Sequence, residues 1–403
     1  MVEQSMRLLI AAFGSRGDVQ PMLALAETMQ GRGHSVSLLL PPSDAAWANT
    51  RGLDATGVGM DFRQLLKDHG TNVWGALPRL RREIAVQGEA LYALAKDRDL
   101  VIGSGFAGLV SSAAQRWKVP YRFVALSPSL LPSRFHPSPT TPWQRLPGWA
   151  NQLSWGLNNF IWNRIARGPI NRIRRAWSLE PVPRIWDHFI GDAVLLAADA
   201  VLAPAPPDAR PRVEQTGAFF FDDHARLPDA LEQFLGAGLP PVYVGFGSMP
   251  DATPAKTGAL FVEAARRAGV RLVLARGWAA LDAPASHDVY LLEETAHASL
   301  FPRCSAIVHH GGAGTTAAAA RAGVCQIIVP HLLDQHYWAT RAQRAGLCVA
   351  TFPRASLTVG RVARALRAAR LDEAWAVRAK HFAKEMRVDG LTQAALRMEA
   401  AKL

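Results

Sequence analysis

The chain has 403 residues, more than one ordinary hydrophobic core organises, so two domains are expected. Its 49% hydrophobic and 19% charged content is that of a folded globular protein, and three widely spaced cysteines give neither a disulfide framework nor a zinc spacing, which fits a reduced, cytoplasmic setting. The 45 Lys and Arg against 33 Asp and Glu leave a net charge of +12, which suits an anionic partner: nucleotide phosphates, nucleic acid or an acidic membrane surface.

The first apolar run, Leu8 to Phe13, is too short for the core of a signal peptide and reads as a buried strand. A Gly-rich turn follows it, and Pro21 is expected to open a helix that ends at Gly31 and Gly33. Val36 to Leu40 is the next strand, which makes a βαβ unit with the short connections of a parallel sheet. Strands at Val101 to Gly103 and Arg122 to Leu126 continue the alternation. Residues 132–186 break it with prolines, then six tryptophans between positions 143 and 186, five arginines between 164 and 175, and almost no acid. Four prolines in residues 203–212 suggest the linker between domains. The alternation restarts with strands at Val242 to Phe246, Arg271 to Ala275, Ala306 to His309 and Gln326 to Val329, and with helices at Pro254 to Ala268, after Asp334, and from Thr358 onward. No stretch reaches the roughly 20 apolar residues of a membrane-spanning helix. The expected fold is α/β, two facing doubly wound Rossmann-like domains with a cleft between them: residues 1–205, residues 206–385, and a C-terminal helix in 386–403 that crosses back to the first domain.

The strongest chemical signal is His309-His310-Gly311-Gly312-Ala313-Gly314-Thr315-Thr316, between a strand and an Ala-rich helix. A helix N-terminus offers unpaired N–H groups and a partial positive charge, and glycines let a diphosphate approach the backbone. A Gly-rich turn that merely needs small residues would look similar, and the paired histidines argue against it. Asp18, on the turn after the first strand, is either a cap for the following helix or a base. Asp334 has the same two readings.

These motifs resemble the nucleotide-sugar signature of family 1 glycosyltransferases of the GT-B fold. The resemblance extends to Ala322-Gly323, Gln326, Pro330, Asp334-Gln335, Val244 to Met249 and Arg276-Gly277-Trp278. At the N-terminus, Gly14-Ser15-Arg16-Gly17-Asp18-Val19-Gln20-Pro21 is similar to the opening motif of sterol glucosyltransferases and of vancomycin-type antibiotic glycosyltransferases. The resemblance implies an inverting transfer of a hexose from a UDP- or dTDP-sugar to a lipophilic hydroxyl compound. It implies His310, Gly312, Gly314, Thr315, Ser248, Ser15 and Arg16 at the diphosphate, Trp278 at the nucleobase, Asp334 and Gln335 at the donor sugar, and Asp18 as the catalytic base. No tightly bound cofactor and no metal is expected. Asp222-Asp223-His224 reads as a solvated turn rather than a metal-binding triplet.

The Trp- and Arg-rich segment has three readings: an acceptor wall (Trp143, Trp155, Phe160, Trp162), a basic aromatic surface on anionic membrane, or ordinary helix packing. The charge alone admits nucleic acid, but no nucleic-acid module is present, and the first turn lacks the dinucleotide fingerprint of dehydrogenases. Rival functions on the same scaffold are a nucleotide-sugar epimerase or hydrolase and a non-catalytic sugar-nucleotide-binding subunit. The chain is expected as a monomer or homodimer, cytoplasmic or peripheral to the inner membrane.

Overall fold

The computed structural model describes residues 5–69, 73–106, 108–221, 226–293 and 296–400. Among them the strands form two sheets in which every pairing is parallel. The first holds β1 (Arg7–Phe13), β2 (Ser35–Leu40), β3 (Asp54–Gly57), β4 (Leu100–Gly105), β5 (Tyr121–Ala125), β6 (Ala193–Leu196) and β7 (Arg212–Gln215), in the order β3-β2-β1-β4-β5-β6-β7. The second holds β8 (Val242–Gly245), β9 (Leu272–Ala275), β10 (Val289–Leu292), β11 (Ala306–His309), β12 (Gln326–Ile328) and β13 (Cys348–Thr351), in the order β10-β9-β8-β11-β12-β13. A parallel sheet is covered by helices on both faces, so its central strands read as unbroken apolar runs. Leu8 to Ala12 of β1 and Val308 of β11 accordingly show no exposure.

Each sheet reverses its strand order once, between β1 and β4 and between β8 and β11. At such a switch point neighbouring connections leave to opposite faces, which opens a crevice beyond the C-terminal ends of the strands. The registers set the loops that meet there. Phe13 pairs with Gly105, and Gly245 pairs with His309, so the turn after β1 lies beside that after β4, and the turn after β8 beside the His310 loop.

The structure corrects several sequence expectations. The first helix spans Arg16–Gly31, and Pro21 lies inside it rather than at its start. Ser15 is the N-cap, five residues before the point expected from Pro21, and proline supplies no N–H to the Gly17 carbonyl one turn back. The Pro-rich stretch 203–212 is not the linker. It connects β6 to β7, and β7 belongs to the first sheet, which therefore passes the expected boundary at 205/206. The Gln215 side chain pins that connection, accepting from the Ala205 N–H and donating to the Ala198 and Ala203 carbonyls. Strands β3, β6, β7, β10 and β13 were not read from sequence. Each has four residues; β3, β7, β10 and β13 lie at a sheet edge and β6 next to one, all with half-exposed positions.

The C-terminal helix Gly390–Ala400 packs on the first helix of the chain, with Ala394, Ala395 and Met398 buried in the core of the first domain. Gly390 meets the Gly217 and Ala218 backbone so closely that a Cβ there would fall 2.4 Å from the Ala218 carbonyl oxygen. Glu399 locks the contact. It accepts from Arg32 through Nε at 2.6 Å and Nη2 at 2.7 Å, and lies 2.9 Å from His34 Nε2. The bidentate Arg32 contact holds the Glu399 carboxyl below its ordinary pKa, so its contribution is present at neutral pH and is lost as pH falls. Glu399→Ala is expected to lower stability by about 1–3 kcal/mol at neutral pH, measured by denaturant melts, because it removes the bidentate acceptor of Arg32 and the partner of the buried His34 Nε2. The difference from wild type should shrink in acid.

Candidate active site

The turn after β1 is built around one carboxylate. Gly14, with φ +151°, occupies a region that favours glycine, and a Cβ there would overlap Asp18 Oδ2 at 2.3 Å. Asp18 is the third residue of the helix, and its Oδ2 accepts from the Ser15 N–H at 2.8 Å and the Ser15 hydroxyl at 3.0 Å. This is the reaching-back half of a capping box. Both bonds converge on one oxygen, and Oδ1 makes none among the described residues. Burial raises the Asp18 pKa against the two Ser15 bonds, which lower it. Cap and cleft carboxylate are thus the same group in this structure. Arg16 lies with its guanidinium 5.3 Å from the Trp47 ring centre, and its charge is felt by Asp44 on its own side and by His297 in the other lobe.

The facing turn comes from β11. His309 is fully buried; its Nδ1 accepts from the Gly311 N–H at 3.0 Å, so its Nε2 carries the proton and donates to Gln326 Oε1 at 2.9 Å. It is a structural residue. His310 is different. It lines the cavity, and its buried Nδ1 has no hydrogen-bond partner among the described residues. Burial, and then the neighbouring His309, His331 and His297, hold it well below the ordinary histidine pKa, so the ring is neutral. The ring sits between two glycines: a Cβ at Gly312 would lie 2.5 Å from its Nε2, and one at Gly247 would lie 3.1 Å from its Cε1. Gly312 then caps the helix Ala313–Arg321, whose first internal bond is from Thr316 N–H to the Gly312 carbonyl. The N–H groups of Ala313, Gly314 and Thr315 therefore have no acceptor within the helix. Thr316 is buried and returns its hydroxyl to the Gly312 carbonyl, while Thr315 is half-buried at the cavity. A neutral imidazole, unpaired amides and a positive helix end make a cradle for an anion.

Ser15, Arg16, Asp18, Ser248, Trp278, His310, Gly312, Gly314, Thr315, Asp334 and Gln335 all line a single cavity of about 710 Å³ between the lobes. Asp334 holds the N-cap position of the helix Gln335–Arg344 but makes no cap bond; its Oδ2 accepts from the Trp338 indole N–H at 3.1 Å. Burial, and next the Asp18 carboxylate across the cavity, push its pKa up to about 7. Leu333, just before it, takes the left-handed conformation at φ +52°, which costs a non-glycine residue on the order of 1–3 kcal/mol. Gln335 holds this turn: its Oε1 accepts from the His331 and Leu332 N–H groups at 2.7 and 3.1 Å, so only its amide NH₂, 3.2 Å from Met249 Sδ, is left to face a ligand. The Trp278 ring is half-buried, and Arg63 of the first lobe lies 5.7 Å from its centre.

The Trp- and Arg-rich segment is divided by the fold. Of the four residues expected at an acceptor wall, Trp162 lines the cavity. Trp155 is buried in the core behind it, 5% exposed, and donates its indole N–H to the His136 carbonyl. Phe160 and Trp143 face solvent, 60% and 71% exposed, and do not line the cavity. The reason is position on and before the one helix Gly148–Trp162: Trp155 and Trp162, seven residues apart, share a face, with Trp162 two turns further on at the helix end, whereas Phe160 points to the other side and Trp143 precedes the helix. The wall is completed by Phe62, Phe106, Trp186 and Phe189. Phe106 stacks at 6.0 Å on Phe62 and at 5.5 Å on Trp162, which in turn contacts Trp186 at 5.5 Å. Sequence reading missed Phe106 because it ended β4 at Gly103 and so did not see an aromatic residue leaving the switch point.

Asp222, Asp223 and His224 lie outside the described residues. Among the described residues no group of three or more His, Cys, Asp or Glu side chains is arranged to hold a metal ion, and no helix is long and apolar enough to cross a membrane.

Comparison with known proteins places this geometry. A family model described as the glycosyltransferase family 28 N-terminal domain matches residues 8–123, and one described as the erythromycin biosynthesis protein CIII-like C-terminal domain matches residues 285–395. The chain is 36% identical over 356 residues to the vancomycin aglycone glucosyltransferase of Amycolatopsis orientalis, covering 86% of each protein. It is 31% identical over 390 residues to the sterol 3-beta-glucosyltransferase UGT80B1 of Arabidopsis thaliana, covering 90% of this chain and 62% of that one. In fold it is similar to the crystal structure of the glycotransferase of kitacinnamycin, with TM-score 0.75 and 18% identity over 99% of this chain and 100% of that chain. Two doubly wound lobes, one anion cradle and relatives of this similarity make the chain an enzyme of the GT-B glycosyltransferase family that includes the vancomycin-type and sterol glycosyltransferases.

Proposed function

We propose that this glycosyltransferase moves a hexose from a UDP- or dTDP-sugar to a hydroxyl of a lipophilic natural product, with inversion at the anomeric carbon. The observation that carries the reading is that the Asp18 carboxylate and the His310–Thr315 cradle line one desolvated cavity from opposite lobes. The diphosphate lies on the Ala313, Gly314 and Thr315 amides, with His310, Thr315 and Ser248 as further donors and Ser15 and Arg16 closing from the first lobe. Trp278 stacks on the nucleobase, a role its half-buried indole suits once Arg63 moves aside. Asp334 and the Gln335 amide face the sugar hydroxyls.

An acceptor hydroxyl attacks poorly until its proton is removed as the new bond forms. Asp18 Oδ1 takes that proton. The acceptor oxygen bonds the anomeric carbon as the bond from that carbon to the diphosphate oxygen breaks, and the electron pair leaves on the nucleoside diphosphate. The helix N-terminus and His310 stabilise the charge that builds there, with little reorganisation because their orientation is already set. The acceptor's flat apolar body packs against Phe62, Phe106, Trp162, Trp186 and Phe189, whose rings bury large area while the hydroxyl points at Asp18. The chain acts as a monomer or homodimer in the cytoplasm.

Three outcomes follow. Asp18→Ala should cut transfer to a cognate acceptor at least about tenfold while calorimetry still detects UDP or dTDP binding; unchanged transfer would remove Asp18 from the reaction. Because burial raises its pKa and the base must be ionised, kcat/KM should fall with acidity at a pH above the ordinary carboxylate value of about 4, and this acid limb should vanish in Asp18→Ala. Gly312→Ala places a methyl on His310 Nε2 in a backbone conformation alanine tolerates, so nucleotide affinity should drop roughly tenfold or more with the unfolding midpoint near wild type.

A further inference from the structure

The helix Gly148–Trp162 buries Asn151, Trp155 and Asn158 on one side. Its other side presents Trp149, Leu153, Leu157 and Phe160, which are 67%, 65%, 58% and 60% exposed. Their spacing of four, four and three residues puts them in one row along the helix. Single exposed apolar residues are ordinary on a protein surface, but an aligned row of four large ones marks a contact face. Trp143, 71% exposed, lies on the segment leading into this helix.

Arginine brackets the row. Arg134 and Phe135, both exposed, lie at the N-terminal end, where Asn151 donates to the Arg134 carbonyl at 2.8 Å and the Arg134 guanidinium sits 5.1 Å from the Phe135 ring centre. Arg145 is exposed just before the helix. Arg164 and Arg167 are exposed in the π-helical turn Asn163–Arg167 that continues the helix at its C-terminal end. From residue 100 to residue 179 the chain carries ten Lys and Arg and no Asp or Glu. The carboxylate beside Arg134, that of Asp208, is engaged by the Ser133 hydroxyl and the Arg134 N–H.

We propose that this face docks the enzyme on an anionic lipid bilayer, with Trp149, Leu153, Leu157 and Phe160 entering the interface and the flanking arginines meeting the lipid phosphates. An interfacial helix pairs an apolar face with basic residues at headgroup level, and tryptophan favours that depth. Each basic residue near an anionic surface adds to the attraction, which salt screens. A two-fold contact with a second copy fits less well, because a self-complementary patch would bring the arginines at its ends toward those of its mate. The proposal is independent of the donor and acceptor assigned above. Trp162 ends the same helix and lines the cavity, so docking would hold the acceptor wall close to the bilayer.

The test is co-sedimentation of the full chain with phosphatidylglycerol vesicles and with phosphatidylcholine vesicles. Binding to the anionic vesicles should be at least about tenfold tighter and should weaken with added salt. The doubly substituted Leu153→Glu/Leu157→Glu protein should lose at least about tenfold in binding, and Arg164→Glu/Arg167→Glu should lose the preference for anionic lipid. All four side chains are exposed, so circular dichroism and the unfolding midpoint should match wild type. Absence of binding to phosphatidylglycerol vesicles overturns the proposal, as does equal binding by the Leu153→Glu/Leu157→Glu protein. A wild-type dimer in sedimentation equilibrium that this variant dissociates, with no vesicle binding by either, would assign the face to self-association instead.

Discussion

The site depends on one electrostatic opposition. Unpaired amides at the start of the helix Ala313–Arg321, with the neutral His310 beside them, face two carboxylates, Asp18 and Asp334, in a cavity that removes much of the water from all of them. Each sheet contributes at its own switch point, where the connections diverge and leave backbone groups unpaired. The glycines follow from this. Gly14 and Gly312 lie where a Cβ would strike Asp18 and His310, and one at Gly247 would press on the His310 ring, so the small residues leave room for these two side chains.

The two carboxylates are not equivalent. Asp18 is held by two Ser15 donors on one oxygen, which favour its ionised form against burial. Asp334 has a single indole donor and feels the charge of Asp18, and its pKa is displaced to about 7. Like charges sharing a desolvated space push one another's protonation apart. The strained Leu333 and the Gln335 side chain, bonded to the backbone of its own turn, fix Asp334 against Trp338.

Five of the six tryptophans of residues 143–186 are divided among three places in the fold. Trp155 fills core, Trp162 and Trp186 face the cavity, and Trp143 and Trp149 stand in solvent. One helix thereby joins the cavity wall on one side to an apolar row with arginines at its ends on the other. The C-terminal helix performs a comparable joining, where Glu399 ties the last described turn to Arg32 and His34 of the first lobe.

The amino-acid sequence alone determined the α/β class, the two-domain plan, the central strands and the residues of both Gly-rich turns, because each is a local property: an unbroken apolar run, a glycine the backbone needs, a polar residue at the end of a strand. The helix Pro254–Ala268 and the strand β11 were legible to the residue. The tertiary structure alone decided whatever depends on direction or on distant partners. Trp155 and Trp162 share one face of a helix, and which of them reaches the cavity turns on what the rest of the fold packs against each end of it. Whether a Pro-rich stretch is a linker or a pinned loop turned on Gln215 and on β7 finding an edge on the first sheet. That Asp334 is tuned by Asp18, more than three hundred residues earlier, follows only once two lobes face each other, since charges interact through space and not along the chain.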